Sequence, residues 1–219
     1  MQVQNWNQYF DHTNLAQDAT KEEIITLCKE AKQYQFASVC VNPCRVGTAS
    51  QELKNSGVEV CTVVGFPLGA NQTSIKVMET KKAIKDGATE IDMVMNIGAL
   101  KDGDYNKVKK DIKRVKKACS KNAILKVILE TGMLEEKEII KACQLAVAAK
   151  ADFVKTSTGF YEKKATVEAV KIMKDTVKDK AKVKAAGGIR DLKTAKEMIE
   201  AGADRLGTSA TVNIVKEME

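Results

Sequence analysis

Ala151-Asp152-Phe153-Val154-Lys155, followed by Thr156-Ser157-Thr158-Gly159-Phe160, reads as a short buried strand running straight into a turn. Phe153 and Val154 are strand formers in an apolar run. Thr-Ser-Thr-Gly is turn chemistry, and a helical pattern begins soon after it. Strand side chains alternate between faces, so with Val154 toward covering helices, Phe153 and Lys155 point to the opposite side. An ammonium held there must be paired, neutralised or used, because a bare charge in an apolar interior is costly. A strand-end lysine can also snorkel to solvent along its stem. The neighbouring strands decide between these readings.

Strand and helix signals alternate outward from this stretch in both directions. Further strands are expected near residues 9–15, 36–41, 58–66, 89–96, 123–130, 181–186 and 203–207. Between them, a helix over 20–34 opens with Thr20-Lys21-Glu22-Glu23, a capping box with Thr20 as N-cap. Another is expected from Pro43 to a stop at Gly57, and others over 72–86, 134–150 and 162–178. The lysine-dense helix over 104–121 carries Tyr105, Val108, Ile112 and Val115 on one face, which makes the lysines its wet side. Asp191 caps a helix that ends near Gly202, and a short helix closes the chain.

With no low-complexity linker between them, these eight strand–helix units fit one domain over residues 1–219. Alternation of this kind implies parallel strands joined by right-handed crossovers. Eight units in a chain of this length point to a (β/α)8 TIM barrel. The rival, an open doubly wound sheet, usually carries a Gly-rich dinucleotide turn after its first strand, and none stands here.

Lysines spread along the whole chain produce the net charge of +7, which suits a solvated exterior and, more weakly, phosphate-bearing partners. The six cysteines contain no C-x-x-C pair, and Cys28, Cys40 and Cys61 sit in apolar patterns that suit reduced thiols. The first residues lack the charged and apolar regions of a signal peptide. No apolar run approaches the ~20 residues of a membrane span. A reducing cytoplasm is the expected compartment, with no membrane or nucleic-acid partner and with room for a homodimer.

In a barrel, reacting groups belong at the C-terminal ends of the strands. Alternation turns Ile91, Met93 and Met95 outward and Glu90, Asp92, Val94 and Asn96 inward; it likewise aims Lys126, Ile128 and Glu130 inward, and then Lys184. Four adjacent strands thus direct Asp92, Lys126, Lys155 and Lys184 at one interior, where a packed barrel normally carries branched aliphatics. A purely structural ion network is the alternative. The single histidine, His12, rules against histidine-based zinc sites and disfavours a Ser-His-Asp triad. No P-loop or dinucleotide fingerprint occurs. Amine chemistry on a carbonyl remains: a lysine desolvated beside a second ammonium becomes a usable nucleophile and can form a Schiff base. Asp92 is placed to move protons to and from the carbinolamine. The glycine turns Ala185-Ala186-Gly187-Gly188-Ile189 and Gly207-Thr208-Ser209-Ala210 expose backbone amides suited to phosphate.

The chain resembles the deoxyribose-phosphate aldolases, class I (Schiff-base) aldolases on a (β/α)8 barrel. The likeness runs nearly end to end, through Asp11-His12-Thr13-Asn14-Leu15, Val64-Gly65-Phe66-Pro67-Leu68-Gly69, Val154-Lys155-Thr156-Ser157-Thr158-Gly159-Phe160 and Val183-Lys184-Ala185-Ala186-Gly187-Gly188-Ile189-Arg190, among others. It implies Lys155 as the Schiff-base nucleophile, Lys184 as the lysine that tunes it, and Asp92 as proton donor and acceptor. Gly159, Gly187, Gly188 and Ser209 would line the phosphate end, with Thr158 beside them. Cys40 would be the strand-two cysteine near the substrate, a packing role being equally open. The implied reaction is metal-free and cofactor-free reversible cleavage of 2-deoxy-D-ribose 5-phosphate to D-glyceraldehyde 3-phosphate and acetaldehyde. Another Schiff-base aldolase or transaldolase, or a non-catalytic phosphate-binding barrel, are the alternatives. Two departures bear on phosphate affinity. Phe160 stands where some members carry lysine, and Ala210-Thr211-Val212-Asn213 replaces a Gly-containing opening.

Overall fold

A computed structural model describes residues 6–162 and 164–218. Eight parallel strands close into a barrel in sequence order, β1 (Phe10–Asn14), β2 (Ser38–Val41), β3 (Glu59–Val64), β4 (Glu90–Val94), β5 (Ile124–Ile128), β6 (Phe153–Lys155), β7 (Lys182–Ala186) and β8 (Arg205–Thr208). Closure comes from β8 pairing with β1, with His12 opposite Thr208. The helices are α1 (Lys21–Tyr34), α2 (Val46–Glu52), α3 (Thr73–Lys85), α4 (Ile97–Lys101), α5 (Tyr105–Cys119), α6 (Glu136–Ala148), α7 (Val167–Val177), α8 (Leu192–Glu200) and α9 (Thr211–Lys216). Among the described residues, no helix is long and apolar enough to cross a membrane.

Residues that alternate outward from the strands, such as Ile91, Met93, Val127, Leu129, Val154 and Val183, join the helices in one apolar layer. On α5 the buried face is Val108, Ile112, Val115 and Cys119, each aliphatic contributing about 1.5–3 kcal/mol on full burial. Thr20 caps α1 as expected, its side chain accepting from the Glu23 amide while the Glu23 carboxylate accepts from Thr20 N–H. Outside the barrel wall, Lys76 of α3 is fully buried and donates to Asp111 of α5 at 2.7 Å and to the Val94 carbonyl at 2.9 Å. This pair fixes the end of β4, two residues beyond Asp92. Breaking such a pair from one side costs about 3–5 kcal/mol.

Several elements differ from the expectation. The helix from Pro43 is a single 3-10 turn (Pro43–Arg45) followed by α2, which ends at Glu52, five residues before Gly57, with Asn55 taking a left-handed φ of 60° in the turn that follows. Instead of starting at residue 162, α7 begins at Val167, where the Thr166 side chain accepts from the Ala169 amide. Asn96, expected as a strand end, instead caps α4, a helix too short to show periodicity.

Candidate active site

Strand pairing brings the interior charges into neighbouring rows. Asp92 of β4 lies opposite Lys126 of β5, and Lys155 of β6 lies opposite Lys184 of β7, which itself faces Arg205 of β8. Asp92 is the hub: one oxygen accepts from Lys155 and Lys184, each at 2.8 Å, and the other from Lys126 at 2.9 Å. Lys184 Nζ also sits 2.5 Å from Asp11 Oδ2, close enough for an ion pair though not aligned as a hydrogen bond. Asp11 further pairs with Arg205, and Glu90 with both Lys126 (2.5 Å) and Arg205 (3.2 Å). Gly207 is required beside this cluster, since a Cβ there would stand 2.9 Å from Lys184 Cε.

The electrostatics follow from burial working against pairing. Burial alone would raise Asp92, but Lys126, Lys155 and Lys184 together hold its carboxyl well below the usual carboxylate range. Asp11 is also held low, burial being outweighed by Lys184, Lys126 and Arg205. Burial would depress Lys184, yet Asp11 and Asp92 lift it far above an ordinary lysine; Asp92, Glu90 and Asp11 do the same for Lys126. These two lysines are locked ammonium ions.

Lys155 is placed differently. Of the three interior lysines it alone lines the cavity of about 690 Å³ at the barrel mouth, and Asp92 is its one ion-pair partner among the described residues. Thr158, Gly159, Gly187, Gly188 and Ser209 line the same cavity, so all the expected phosphate-end residues meet Lys155 there. Glu130, whose left-handed backbone (φ 56°) turns it back to β6, holds this loop through the Thr158 hydroxyl and amide. Thr156 fastens it to β7 by donating to the Ala186 carbonyl and accepting from its amide, both at 3.0 Å.

Cys40 does not line the cavity. It is buried with Leu15, Cys61 and Val63 on the β2–β3 side of the interior. Cys61, pushed well up by burial, is a neutral thiol that donates to Asp92 Oδ1 at 3.1 Å. Sulfur and carboxylate atoms of Cys40, Cys61 and Asp92 lie close enough to share an ion. However, Lys126 Nζ already stands 3.3 Å from Cys61 Sγ and 2.9 Å from Asp92, and a second cation there would face its charge directly.

Sequence reasoning left Asp11, Arg205 and Cys61 out of the cluster, and Lys164 and Arg190 off the cavity wall, where both occur. Asp11 had a usable signal, since Phe10 faces outward and alternation sends Asp11 in.

The model of the DeoC/LacD family aldolases matches residues 6–217. The chain belongs to this family. It is 59% identical over 209 residues to a deoxyribose-phosphate aldolase of Staphylococcus epidermidis, covering 95% of this chain and 94% of that protein. Identity is again 59%, over 211 residues, with a deoxyribose-phosphate aldolase of Thermococcus gammatolerans (95% and 94% covered). The structure of the tetrameric deoxyribose phosphate aldolase of Aeropyrum pernix superposes with a TM-score of 0.90 at 33% identity, covering 97% of this chain and 90% of that one. The chain is therefore an aldolase, a carbon–carbon lyase.

Proposed function

We propose that residues 1–219 form one aldolase domain that reversibly cleaves 2-deoxy-D-ribose 5-phosphate to D-glyceraldehyde 3-phosphate and acetaldehyde, through a Schiff base on Lys155 and without a metal. The observation that carries this reading is the asymmetry among the lysines: Lys126 and Lys184 are sealed in ion pairs, while Lys155 meets the cavity. The Lys155 amine adds to the C1 aldehyde of the open-chain sugar, and loss of water leaves a protonated imine. That imine withdraws electrons as the C2–C3 bond breaks and the C3 hydroxyl gives up its proton. Glyceraldehyde 3-phosphate departs, the remaining enamine is protonated at C2, and hydrolysis frees acetaldehyde and the amine.

Asp92, touching Lys155 Nζ, accepts and returns the protons of carbinolamine formation and breakdown. Lys184 stays charged and fixes Asp92. In this cluster, Lys126, Lys155, Lys184 and Arg205 face Asp11, Glu90 and Asp92. Gly159, Gly187, Gly188, Thr158 and Ser209 hold the phosphate end, and Cys40 shapes the interior below them. The six free thiols favour a reducing cytoplasm. A homodimer is the assembly to test by light scattering, with apolar Leu68 and Met78 exposed on and beside the β3–α3 loop.

The deciding assay follows glyceraldehyde 3-phosphate release from deoxyribose 5-phosphate. Turnover should survive dialysis against EDTA and vanish in Lys155→Leu. Loss with EDTA, restored by a divalent ion, or steady turnover in Lys155→Leu, would overturn the mechanism.

A further inference from the structure

The β6–α7 loop is laced onto the β7–α8 glycine turn. The Ala165 amide donates to the Gly187 carbonyl at 3.2 Å. The stem of Lys164 lies across Gly188 so closely that a Cβ on that glycine would stand 2.8 Å from Lys164 Cδ and 3.1 Å from its Cβ. Gly187 and Gly188 both have left-handed backbones, φ 94° and 83°, and they line the cavity with Lys164, Arg190 and Ser209. Among the described residues, none of the ion pairs involves Lys164 or Arg190. Phe160, in contrast, turns away from this role: its ring packs edge-on against Phe66 at 5.2 Å, and its side chain carries no charge.

We infer that Lys164 is a specificity-determining residue of this chain: it supplies the cation that grips the substrate phosphate over the Gly187-Gly188 turn, where Phe160 supplies none. The inference rests on the reading of this site as one for a phosphorylated sugar. The geometry divides the work. Backbone amides of the glycine turn point at the phosphate oxygens, and the ammonium, held by its stem on Gly188, closes over them from the β6–α7 side. Gly188 must lack a side chain for both reasons, since a Cβ would strain its backbone and displace Lys164.

The test compares wild type, Lys164→Gln, Lys164→Arg and the double variant Lys164→Gln/Phe160→Lys. Cleavage of deoxyribose 5-phosphate and of unphosphorylated deoxyribose is measured, together with the melting shift caused by inorganic phosphate alone. Lys164→Gln should raise KM for the phosphorylated sugar about tenfold, the scale of one charge-assisted hydrogen bond. It should leave kcat and the unphosphorylated reaction unchanged and shrink the phosphate-induced melting shift. Lys164→Arg should keep near-wild-type KM, and Phe160→Lys should recover part of the loss. An unchanged KM and melting shift in Lys164→Gln, or equal losses on both sugars, overturns the inference while leaving the aldolase reading intact. If wild type cleaves neither sugar, that reading fails instead, and the phosphate melting shift still decides whether Lys164 holds the anion.

Discussion

On the β1–β3 side of the barrel interior, Leu15, Cys40, Cys61 and Val63 pack together with Phe66 at their edge. On the β4–β8 side the same depth is filled by Asp92, Lys126, Lys155 and Lys184, tied to Asp11, Glu90 and Arg205. The apolar side is held by burial, which favours it at every contact. Burial works against the charged side, so each of its charges must be bound by another. Low polarity on one side also sharpens the fields on the other, since fewer dipoles are present to screen them. Cys61 sits on the seam, with its sulfur 3.1 Å from Asp92 and 3.3 Å from Lys126. Lys155, the proposed Schiff-base lysine, is among the described residues the one charged group of this interior that has both a carboxylate and an open cavity beside it.

Extending the apolar side across the seam should have the largest effect. Lys184→Leu leaves Asp11 and Asp92 short of a partner, at a cost of about 3–5 kcal/mol of stability. Activity should fall by more than ~100-fold, in the range of a lost acid–base arrangement. The residual rate should shift to higher pH, because the charge opposing an ammonium at position 155 is gone. Urea unfolding and a pH–rate profile check both. Unchanged stability would mean that Lys184 contributes no net pairing.

The charged interior and the helix layer should also respond differently to pH. Asp11 and Asp92 have folded-state values below the unfolded ones, so their stabilisation is present above about pH 4 and is lost only as pH falls further. Lys126 and Lys184 are raised, so theirs is complete below about pH 10.5 and lost above it. Burial pushes the helix-layer thiols Cys28 and Cys119 up to about 11 and Cys143 up to about 12, from an ordinary 9.0. Their stabilisation begins to fail above pH 9 and is lost through those values. The melting temperature should therefore be highest from about pH 7 to 9, fall below about pH 6.5, where burial keeps His12 neutral in the folded state while the unfolded chain takes up its proton, and drop further below about pH 4 and above pH 9. A fall between pH 7 and 5 that persists in His12→Gln would place a titrating carboxylate inside the cluster.

Cys61→Ala, a small cut at the seam, should have the smallest effect. It removes a buried thiol and its bond to Asp92, costing about 1–2 kcal/mol, and should change kcat by less than about fivefold. A larger kinetic loss with little change in stability would make Cys61 a positioning residue for Asp92.

Strand alternation made Asp92, Lys126, Lys155 and Lys184 legible, because a period of two fixes which face a side chain takes without any knowledge of its neighbours. The pairing of Arg205 with Asp11 was not, because alternation sends Asp11 inward but their meeting depends on β8 closing onto β1 across a sequence separation of 194. Which lysine meets the cavity was also beyond alternation. It depends on the depth of each side chain and on the loop that Glu130 and Thr156 hold in place. Short elements such as α4 escaped because five residues do not complete two helical turns.

The central claim is that Lys155, and neither of the sealed lysines, is the amine that bonds to the substrate. Borohydride reduction in the presence of acetaldehyde, followed by peptide mass mapping, tests it directly. A two-carbon adduct should appear on the peptide carrying Lys155 and persist there in Lys184→Leu. An adduct on Lys126 or Lys184, or no adduct in an enzyme that turns over, would contradict it.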